Sequence, residues 1–299
     1  MFRTLHNPSA LRIGIMPELP EVETMRRGIA SIVGGKIVAV ERCRLRARPI
    51  QFTPAGGKFD RRVLDKKVMA VDRLGKRVVV RLDDGIALVF EPRMTGLVLL
   101  ADPPSRDHLR LRIHLENRRG KRQELLYWDQ RGLGLVRALD EQGLEKLYGP
   151  ERLGPDALTI SVDQMRENLA KSRRPIKVAL LDQRAVAGIG NLYASEMLHL
   201  AGIHPARPCA RLRPEDWQRL HASMLSVLNA AIRYEGSTLS DGTYRNALNE
   251  QGGYQNHHRV YDRADKPCPK CRGAIVRIVQ AQRSTFFCPT CQPKKAAGR

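Results

Sequence analysis

The stretch that decides the fold is "RVVVRLDDGIALVF", residues 77–90. Two runs of β-branched and apolar residues flank Asp84-Gly85, a dipeptide that is typical of a tight hairpin turn. Similar alternation follows in "LRLRIHL", residues 109–115, and in "ELLYW", residues 124–128. The pattern therefore predicts that residues 16–143 form an antiparallel β-sandwich domain with flanking helices.

A helical period precedes these strands and returns after them. Apolar residues at helical spacing follow Pro20 and stop before a Gly-Gly pair; they are Val22, Met25, Ile29 and Ile32. After a linker at 144–156, Ser161 and Gln164 form a capping-box signature. Helices are predicted over 175–187, 191–201 and 214–235. We therefore expect a second, helical domain over 157–236 and an α+β class for the chain.

The remaining segments have distinct compositions. Residues 237–262 are polar and rich in Gly, Asn and Gln, which predicts a mobile loop. Residues 263–293 are a small cysteine module, and 294–299 are a tail. Residues 1–15 hold no acidic residue and two arginines. This extension is interpreted as sequence upstream of the true start or as a removed leader, with organelle targeting as the alternative.

The charge of the chain indicates a polyanionic partner. Lys and Arg total 52 against 31 Asp and Glu, a net charge of +21 spread along the chain. A nucleic acid is the partner that this excess favours; a solvated basic surface is the alternative. The low aromatic content of 5% argues against single strands stacked on aromatic side chains. No apolar run approaches the roughly 18–20 residues of a membrane span.

Four cysteines have the spacing of a metal site. Cys268 and Cys271 form one CxxC pair, and after sixteen residues Cys288 and Cys291 form another. Four thiolates at this spacing suit one structural zinc ion with no open coordination position. Iron and a pair of disulfides are the alternatives.

Two further segments suit phosphate binding. Gln282 and Arg283 form a predicted turn between the CxxC pairs, where Arg283 either reaches a phosphate or is an ordinary exposed turn residue. "GIGN", residues 188–191, predicts a turn before a helix that Asn191 caps, with free amides forming an anion site. Nearby basic residues, among them Lys177, favour phosphate at that site.

The motifs together resemble the formamidopyrimidine-DNA glycosylase family of base-excision repair enzymes. They are "MPELPEVET", "RLGKR", "DQRGLG", "GIGNLYASE", "AGIHP" and "CPKC…AQRSTFFC", and they span residues 16 to 291. The resemblance implies a β-sandwich domain, a helix–two-turn–helix domain and a β-hairpin zinc finger, with duplex DNA in the cleft. It implies excision of oxidised purines such as 8-oxoguanine, followed by β,δ-elimination at the abasic site. It also implies one zinc ion, a monomer, and a cytoplasmic, nucleoid-associated protein.

The resemblance assigns roles to catalytic residues. Pro17, exposed after removal of Met16, would be the nucleophile. A terminal amine has a pKa of about 8, so about a tenth of it is unprotonated at pH 7. Glu18 would be the general acid and base, and Glu21, a second carboxylate near the Pro17 amine, would orient that amine. Lys76 would contact the lesion nucleotide, and Arg283 would assist the second elimination.

The resemblance also assigns DNA contacts. Met94, Arg131 and Leu133 would fill the space of the flipped base, while Arg106, Lys177 and Asn191 would bind DNA. Leu133 replaces an expected phenylalanine, and Glu91 and Arg106 stand where the family commonly has histidine. These departures bear on opposite-base selectivity. Residues 240–260 match the region that covers the lesion.

Three other functions stay open. An endonuclease VIII-like glycosylase would remove oxidised pyrimidines. A non-catalytic damaged-DNA binder results if residues 1–15 are retained, because Pro17 is then an amide. An RNA-binding zinc-ribbon protein would show no preference for lesions.

Overall fold

The computed structural model describes residues 16–43, 48–117, 119–239 and 242–294. The predicted leader, residues 1–15, lies outside the described residues. Within them, no helix is long and apolar enough to cross a bilayer.

Nine strands of the first domain form two sheets. The four-stranded sheet has the order β1-β7-β8-β6 and the five-stranded sheet has the order β2-β9-β5-β4-β3. All neighbours are antiparallel except β2 and β9. The strands are β1 (Lys36–Arg42), β2 (Gln51–Thr53), β3 (Val68–Leu74), β4 (Arg77–Leu82), β5 (Ala87–Glu91), β6 (Gly96–Leu99), β7 (Leu109–Glu116), β8 (Arg122–Asp129) and β9 (Leu135–Leu139).

The decisive hairpin forms as predicted. β4 pairs with β5 in the register Val78 to Phe90, and Gly85 in the connecting turn has a φ of 80°. Apolar side chains of the two sheets and of the first helix share one core. The predicted sandwich is therefore confirmed. The sequence did not predict that the outer face of the five-stranded sheet is also covered, by Tyr148 of α3.

Helices of the first domain flank the sandwich. They are α1 (Leu19–Gly28), α2 (Gly57–Val63) and α3 (Glu141–Tyr148), and a short 3-10 turn at Ala30–Ile32 follows α1. Because Val22 packs in the sandwich core and Leu19 packs in the core of the second domain, α1 belongs to both.

The second domain is helical, as predicted. It contains α4 (Val162–Leu169), α5 (Ile176–Leu180), α6 (Asn191–Ala201) and α7 (Pro214–Arg233). The capping box of Ser161 with Gln164 is present at α4, and the apolar face of α7 is buried. Short 3-10 turns also occur in both parts of the chain. One precedes β7 in the first domain, at Arg106–His108, and the others are at Cys209–Arg211 and Tyr254–His257.

The helix predicted over 175–187 is shorter than the pattern indicates. It ends at Leu180, where tight turns begin, and the linker takes backbone groups of Gln183 and Ala187. Gly154 donates to the Gln183 carbonyl, and Ala187 donates to the Pro155 carbonyl. Tertiary pairing thus replaces helical bonds there.

The segment after α7 is held by buried polar groups. The fully buried Glu196 carboxylate accepts hydrogen bonds from the amides of Arg259, Val260 and Tyr261, at 2.8–3.1 Å. Tyr244 and Tyr254 are buried as well. The cysteine module then forms a hairpin of β10 (Val276–Gln280) and β11 (Arg283–Phe287).

Arg73 joins the two domains through ion pairs. Its guanidinium lies 3.1 Å from Glu23 of α1 and 2.5 Å from Asp156 of the linker. The Arg73 side chain is only 9% exposed. Burial alone would raise the pKa of Glu23, but hydrogen bonds from Arg26 and Arg27 and the charges of Arg26 and Arg73 outweigh it and lower that pKa to about 2.

We expect Arg73→Met to lower the free energy of unfolding by about 3 kcal/mol, because it removes the ion-pair partner of the half-buried Asp156 and one of the three arginines that pair with the buried Glu23. Arg26 and Arg27 still neutralise Glu23, so the loss is at the lower end for a broken buried pair. Arg81→Met is the matched control, since its pair with Asp72 is exposed and is worth about 1 kcal/mol or less. Urea denaturation of the full chain measures both. Equal losses in the two variants would contradict a joining role for Arg73.

Candidate active site and zinc finger

The junction of the two domains forms a pocket around the residues of the first motif. It is lined by Met16, Pro17, Glu18, Glu21, Leu192, Ser237, Leu239, Thr243 and Tyr244. Pro17 and Glu18 are buried, and Met16 is 36% exposed. The start of α1, the start of α6 and the segment after α7 therefore meet at Pro17.

Glu18 occupies the anion site at the start of α6. Its carboxylate accepts a hydrogen bond from the Leu192 amide at 2.9 Å and a longer one from the Tyr193 amide at 3.4 Å. A Cβ at Gly190 would lie 2.2 Å from the Glu18 carboxyl carbon, so this approach needs glycine. Burial raises the pKa of Glu18 to about 7, although Lys76 and the two amides favour the ionised form.

The prediction that Asn191 caps this helix was wrong. Gly190, not Asn191, is the N-cap residue of α6. The amides bind the Glu18 carboxylate, so they are not free for a phosphate. The Asn191 side chain instead accepts from the Lys177 ammonium and donates to the Ser284 carbonyl at 3.0 Å.

Glu21 holds the first turn of α1 in place. Its carboxylate accepts from the Glu18 amide at 3.0 Å, from the Tyr193 hydroxyl at 2.5 Å and from the Ser237 amide at 2.9 Å. Burial raises the pKa of Glu21. Tyr193 and Ser237 carry no signal in the sequence that would connect them with Glu21.

Two lysines, Lys76 and Lys177, each interact electrostatically with Glu18 and with Arg283. Burial lowers the pKa of Lys76, which lies in the turn between β3 and β4, and the pKa of Lys177 is lowered to about 8. Arg283, at the start of β11, disfavours the charged form of both lysines, while Glu18 favours it. The structure thus brings Lys76, Lys177 and Arg283 together from three different parts of the chain.

A buried carboxylate fixes the two segments that carry Met94, Arg131 and Leu133. Asp129 is fully buried and accepts from the Thr95 hydroxyl at 2.5 Å and from the Gly134 amide at 2.7 Å. Thr95 in turn accepts from the Arg131 amide at 2.9 Å. The Arg131 guanidinium lies 3.2 Å from the Met94 sulfur.

Arg106 stands apart from these contacts. It is exposed in the 3-10 turn before β7, and this turn lies at the same end of the sheet as Asp129. Sequence reasoning included Asp129 in the motif DQRGLG but missed its role, and it missed Thr95 altogether, because hydrogen bonding of a buried acid to a distant threonine has no sequence pattern.

The four predicted zinc ligands form a cluster. Their sulfur atoms all lie within 4.8 Å of one another, with Cys268 and Cys291 at 3.9 Å and Cys271 and Cys288 at 3.4 Å. A tetrahedral zinc–thiolate site places sulfurs about 3.8 Å apart, since each bond is about 2.3 Å. The residues therefore fit one zinc ion, and the distances are too long for disulfides of about 2 Å. The site would be closed and structural.

Comparison with known protein families gives three matches along the chain. The formamidopyrimidine-DNA glycosylase N-terminal domain matches residues 16–136. The formamidopyrimidine-DNA glycosylase H2TH domain matches residues 153–243. A zinc finger found in FPG and IleRS matches residues 265–294.

Similar proteins extend over almost the whole chain. Formamidopyrimidine-DNA glycosylase of Chloroflexus aurantiacus is 42% identical over 283 residues, which is 93% of this chain and 98% of the relative. The crystal structure of MutM (Fpg) from Thermus thermophilus has a TM-score of 0.81 at 35% identity and covers 94% of this chain and 100% of that one. A Lactococcus lactis Fpg mutant in complex with Fapy-dG-containing DNA has a TM-score of 0.81 at 32% identity, over 93% and 100%.

These matches agree with the fold, since the three domains follow one another in the order that the structure shows. Because a relative with 42% identity covers nearly the whole chain, this protein belongs to the formamidopyrimidine-DNA glycosylase family.

Proposed function

We propose that this protein removes oxidised purines from duplex DNA and cleaves the abasic strand, with the Pro17 amine as nucleophile. The observation that carries the proposal is the pocket in which Pro17 lies against Glu18 and Glu21, beside the basic groups of Lys76, Lys177 and Arg283. A carboxyl with a pKa of about 7 suits an acid and base at neutral pH.

The first step needs an unprotonated secondary amine at Pro17. Its nitrogen bonds to C1′ of the lesion nucleotide while the bond from C1′ to the base breaks, and the base leaves with that electron pair and takes up a proton. Protonated Glu18 supplies or relays that proton. The attached nitrogen then loses its proton, the C1′–O4′ bond breaks and O4′ takes up a proton, so the ring-opened sugar is held as an iminium ion that acidifies the hydrogens on C2′.

The second stage uses the basic groups. Loss of a C2′ proton from the iminium ion expels the 3′ phosphate, and a second elimination expels the 5′ phosphate. Lys76 and Arg283 would bind these phosphates as charge develops on them. Lys177, paired with Asn191, would bind the backbone from the helical domain.

Duplex DNA is the substrate in this proposed reaction. Solved relatives from Lactococcus lactis are complexes with Fapy-dG-containing and abasic-site-containing DNA. Met94, Arg131 and Leu133 would enter the stack where the flipped base leaves a space. Arg106, exposed at the same end of the sheet, would reach the backbone. The protein would act as a monomer with one zinc ion in the finger that carries Arg283.

The N-terminus decides between the enzyme and a non-catalytic DNA binder. We expect the form that begins at Pro17 to give a covalent adduct with an abasic-site duplex when borohydride reduces the iminium. The form that retains residues 1–16 should give none, because its Pro17 nitrogen is an amide. Denaturing gels and intact mass measure the adduct. Equal adducts from both forms would exclude Pro17 as the nucleophile, and no adduct from the Pro17 form would favour the binder.

The preferred lesion distinguishes an enzyme for oxidised purines from an endonuclease VIII-like enzyme for oxidised pyrimidines. We expect the form beginning at Pro17 to cleave duplexes with 8-oxoguanine opposite cytosine at least tenfold faster than duplexes with thymine glycol. The reason is the long segment over 240–260, which would close over a purine. Single-turnover cleavage on both duplexes measures the ratio, and an undamaged duplex is the control. A ratio below one would favour an endonuclease VIII-like enzyme.

The raised pKa of Glu18 predicts a pH dependence. Excision needs neutral Pro17 and protonated Glu18, so its rate should rise with pH as the amine loses its proton and fall above pH 7–8 as Glu18 ionises. Glu18→Gln should lower the excision rate by about 10²–10⁴-fold. The residual rate should lack the alkaline fall.

Glu23→Gln is the matched control for this experiment. Glu23 lies on the same helix, but its pKa is held near 2 by arginines, so it does not titrate near neutral pH. Single-turnover excision from pH 5 to 10 measures both profiles. An alkaline fall that persists in Glu18→Gln would exclude Glu18 as its source.

A further inference from the structure

One buried carboxylate beside the active site collects three arginines. Glu91, at the end of β5, is 5% exposed. Its oxygens are approached by the Tyr148 hydroxyl at 2.6 Å, Arg77 Nε at 3.2 Å, an Arg93 nitrogen at 3.6 Å and, closest of all, an Arg137 nitrogen. We call Arg77, Arg93 and Arg137 the Glu91 arginines.

The register of the five-stranded sheet explains why these arginines meet at Glu91. Val78 pairs with Phe90, which places Arg77 next to Glu91 across the β4–β5 pair. Arg137 on β9 pairs with Val89, two residues from Glu91 and so on the same face of the sheet. Tyr148 covers this face from α3, with its ring 4.5 Å from the Arg77 guanidinium. The cluster is therefore held by strand geometry.

The Glu91 arginines carry more charge than Glu91 neutralises. Among the described residues, each of the three has Glu91 as its only ion-pair partner, so three positive charges face one negative charge. Arg93 is too far from Glu91 for a hydrogen bond, and its side chain is 50% exposed. Burial and the neighbouring Arg93 lower the pKa of Arg77. The cluster thus has a net charge of about +2 and open donors at its outer edge.

The cluster lies between two proposed DNA contacts. Arg77 directly follows Lys76, and Arg93 directly precedes Met94 in the turn that Asp129 and Thr95 fix. A duplex that places its lesion near Lys76 and receives Met94 in its stack would bring its backbone past this edge.

The backbone conformation of Arg93 also supports a functional role for the cluster. Arg93 has a φ of 53°, a left-handed conformation that glycine adopts at lower cost than arginine. Strained positions of this kind concentrate at functional sites.

We propose that the Glu91 arginines form a binding site for a backbone phosphate of duplex DNA, with Glu91 as the residue that positions them. This inference rests on the proposed function, because it uses DNA as the substrate. Guanidinium groups bind phosphate through paired donors, and an anion is what the excess charge of the cluster requires. Glu91 itself would not contact DNA.

Arg93→Gly tests the site without endangering the fold. Glycine suits the left-handed backbone, so the melting temperature should stay equal or rise. Losing one phosphate contact should reduce the slope of log affinity against log salt by about 0.9. Arg93→Gln, which keeps the length of the side chain, should reduce the slope similarly. Fluorescence anisotropy with a duplex containing a tetrahydrofuran abasic analogue measures the slope.

Arg119→Gln is the matched control. Arg119 is exposed at the tip of the β7–β8 hairpin, whose other end carries Asp129. Seven residues of strand place the tip about 23 Å away from that end. The slope of log affinity against log salt for Arg119→Gln should equal that of the unaltered protein.

Two results would overturn the proposal. One is an unchanged slope in both Arg93 variants. The other is a loss of affinity confined to the abasic analogue, since a phosphate contact weakens binding to damaged and undamaged duplexes alike. Borohydride trapping of the form beginning at Pro17 is run alongside. If trapping succeeds while the slopes are unchanged, only the phosphate site fails; if trapping fails, the proposed function fails.

Discussion

The Glu18 carboxylate is buried against the first amides of α6, and the arrangement of the active site depends on this contact. The two free N–H groups and the helix dipole stabilise a negative charge there. Burial opposes them and raises the pKa of Glu18 to about 7. The same contact attaches α1 to the helical domain. A residue that links the domains is therefore also the one with the pKa of a neutral-pH acid.

Glu21 and Arg73 complete this junction. Glu21 binds the Glu18 amide, the Tyr193 hydroxyl and the Ser237 amide, so the turn before α1 has little freedom to move. Arg73 links α1 to the linker at Asp156. Pro17 is thus carried by a segment that two domains fix together. The attack proposed for the Pro17 amine would benefit from such positioning, because misplacement by about 1 Å can cost about 100-fold in rate.

Charge is organised around the pocket in separate groups. Lys177 and Arg283 come from the helical domain and the zinc finger, and Asn191 joins them through Lys177 and the Ser284 carbonyl. The Glu91 arginines lie on the sandwich side. Glu91 alone would repel a phosphate. The three arginines around it reverse that charge, so this part of the surface is positive.

The sequence by itself determined the sandwich, the helices at α4, α6 and α7 and the four cysteines, because periodicity and spacing are local, and its motifs carried the resemblance to the family. It placed a carboxylate and a glycine turn in different motifs but could not show that Glu18 fills the anion site at Gly190. The tertiary structure was also needed to show that α5 ends early. Only it shows that the Thr95 hydroxyl donates to Asp129 and that three arginines meet at Glu91. Each depends on groups far apart in the chain whose hydrogen bonds and burial arise only when the sheets and helices pack together.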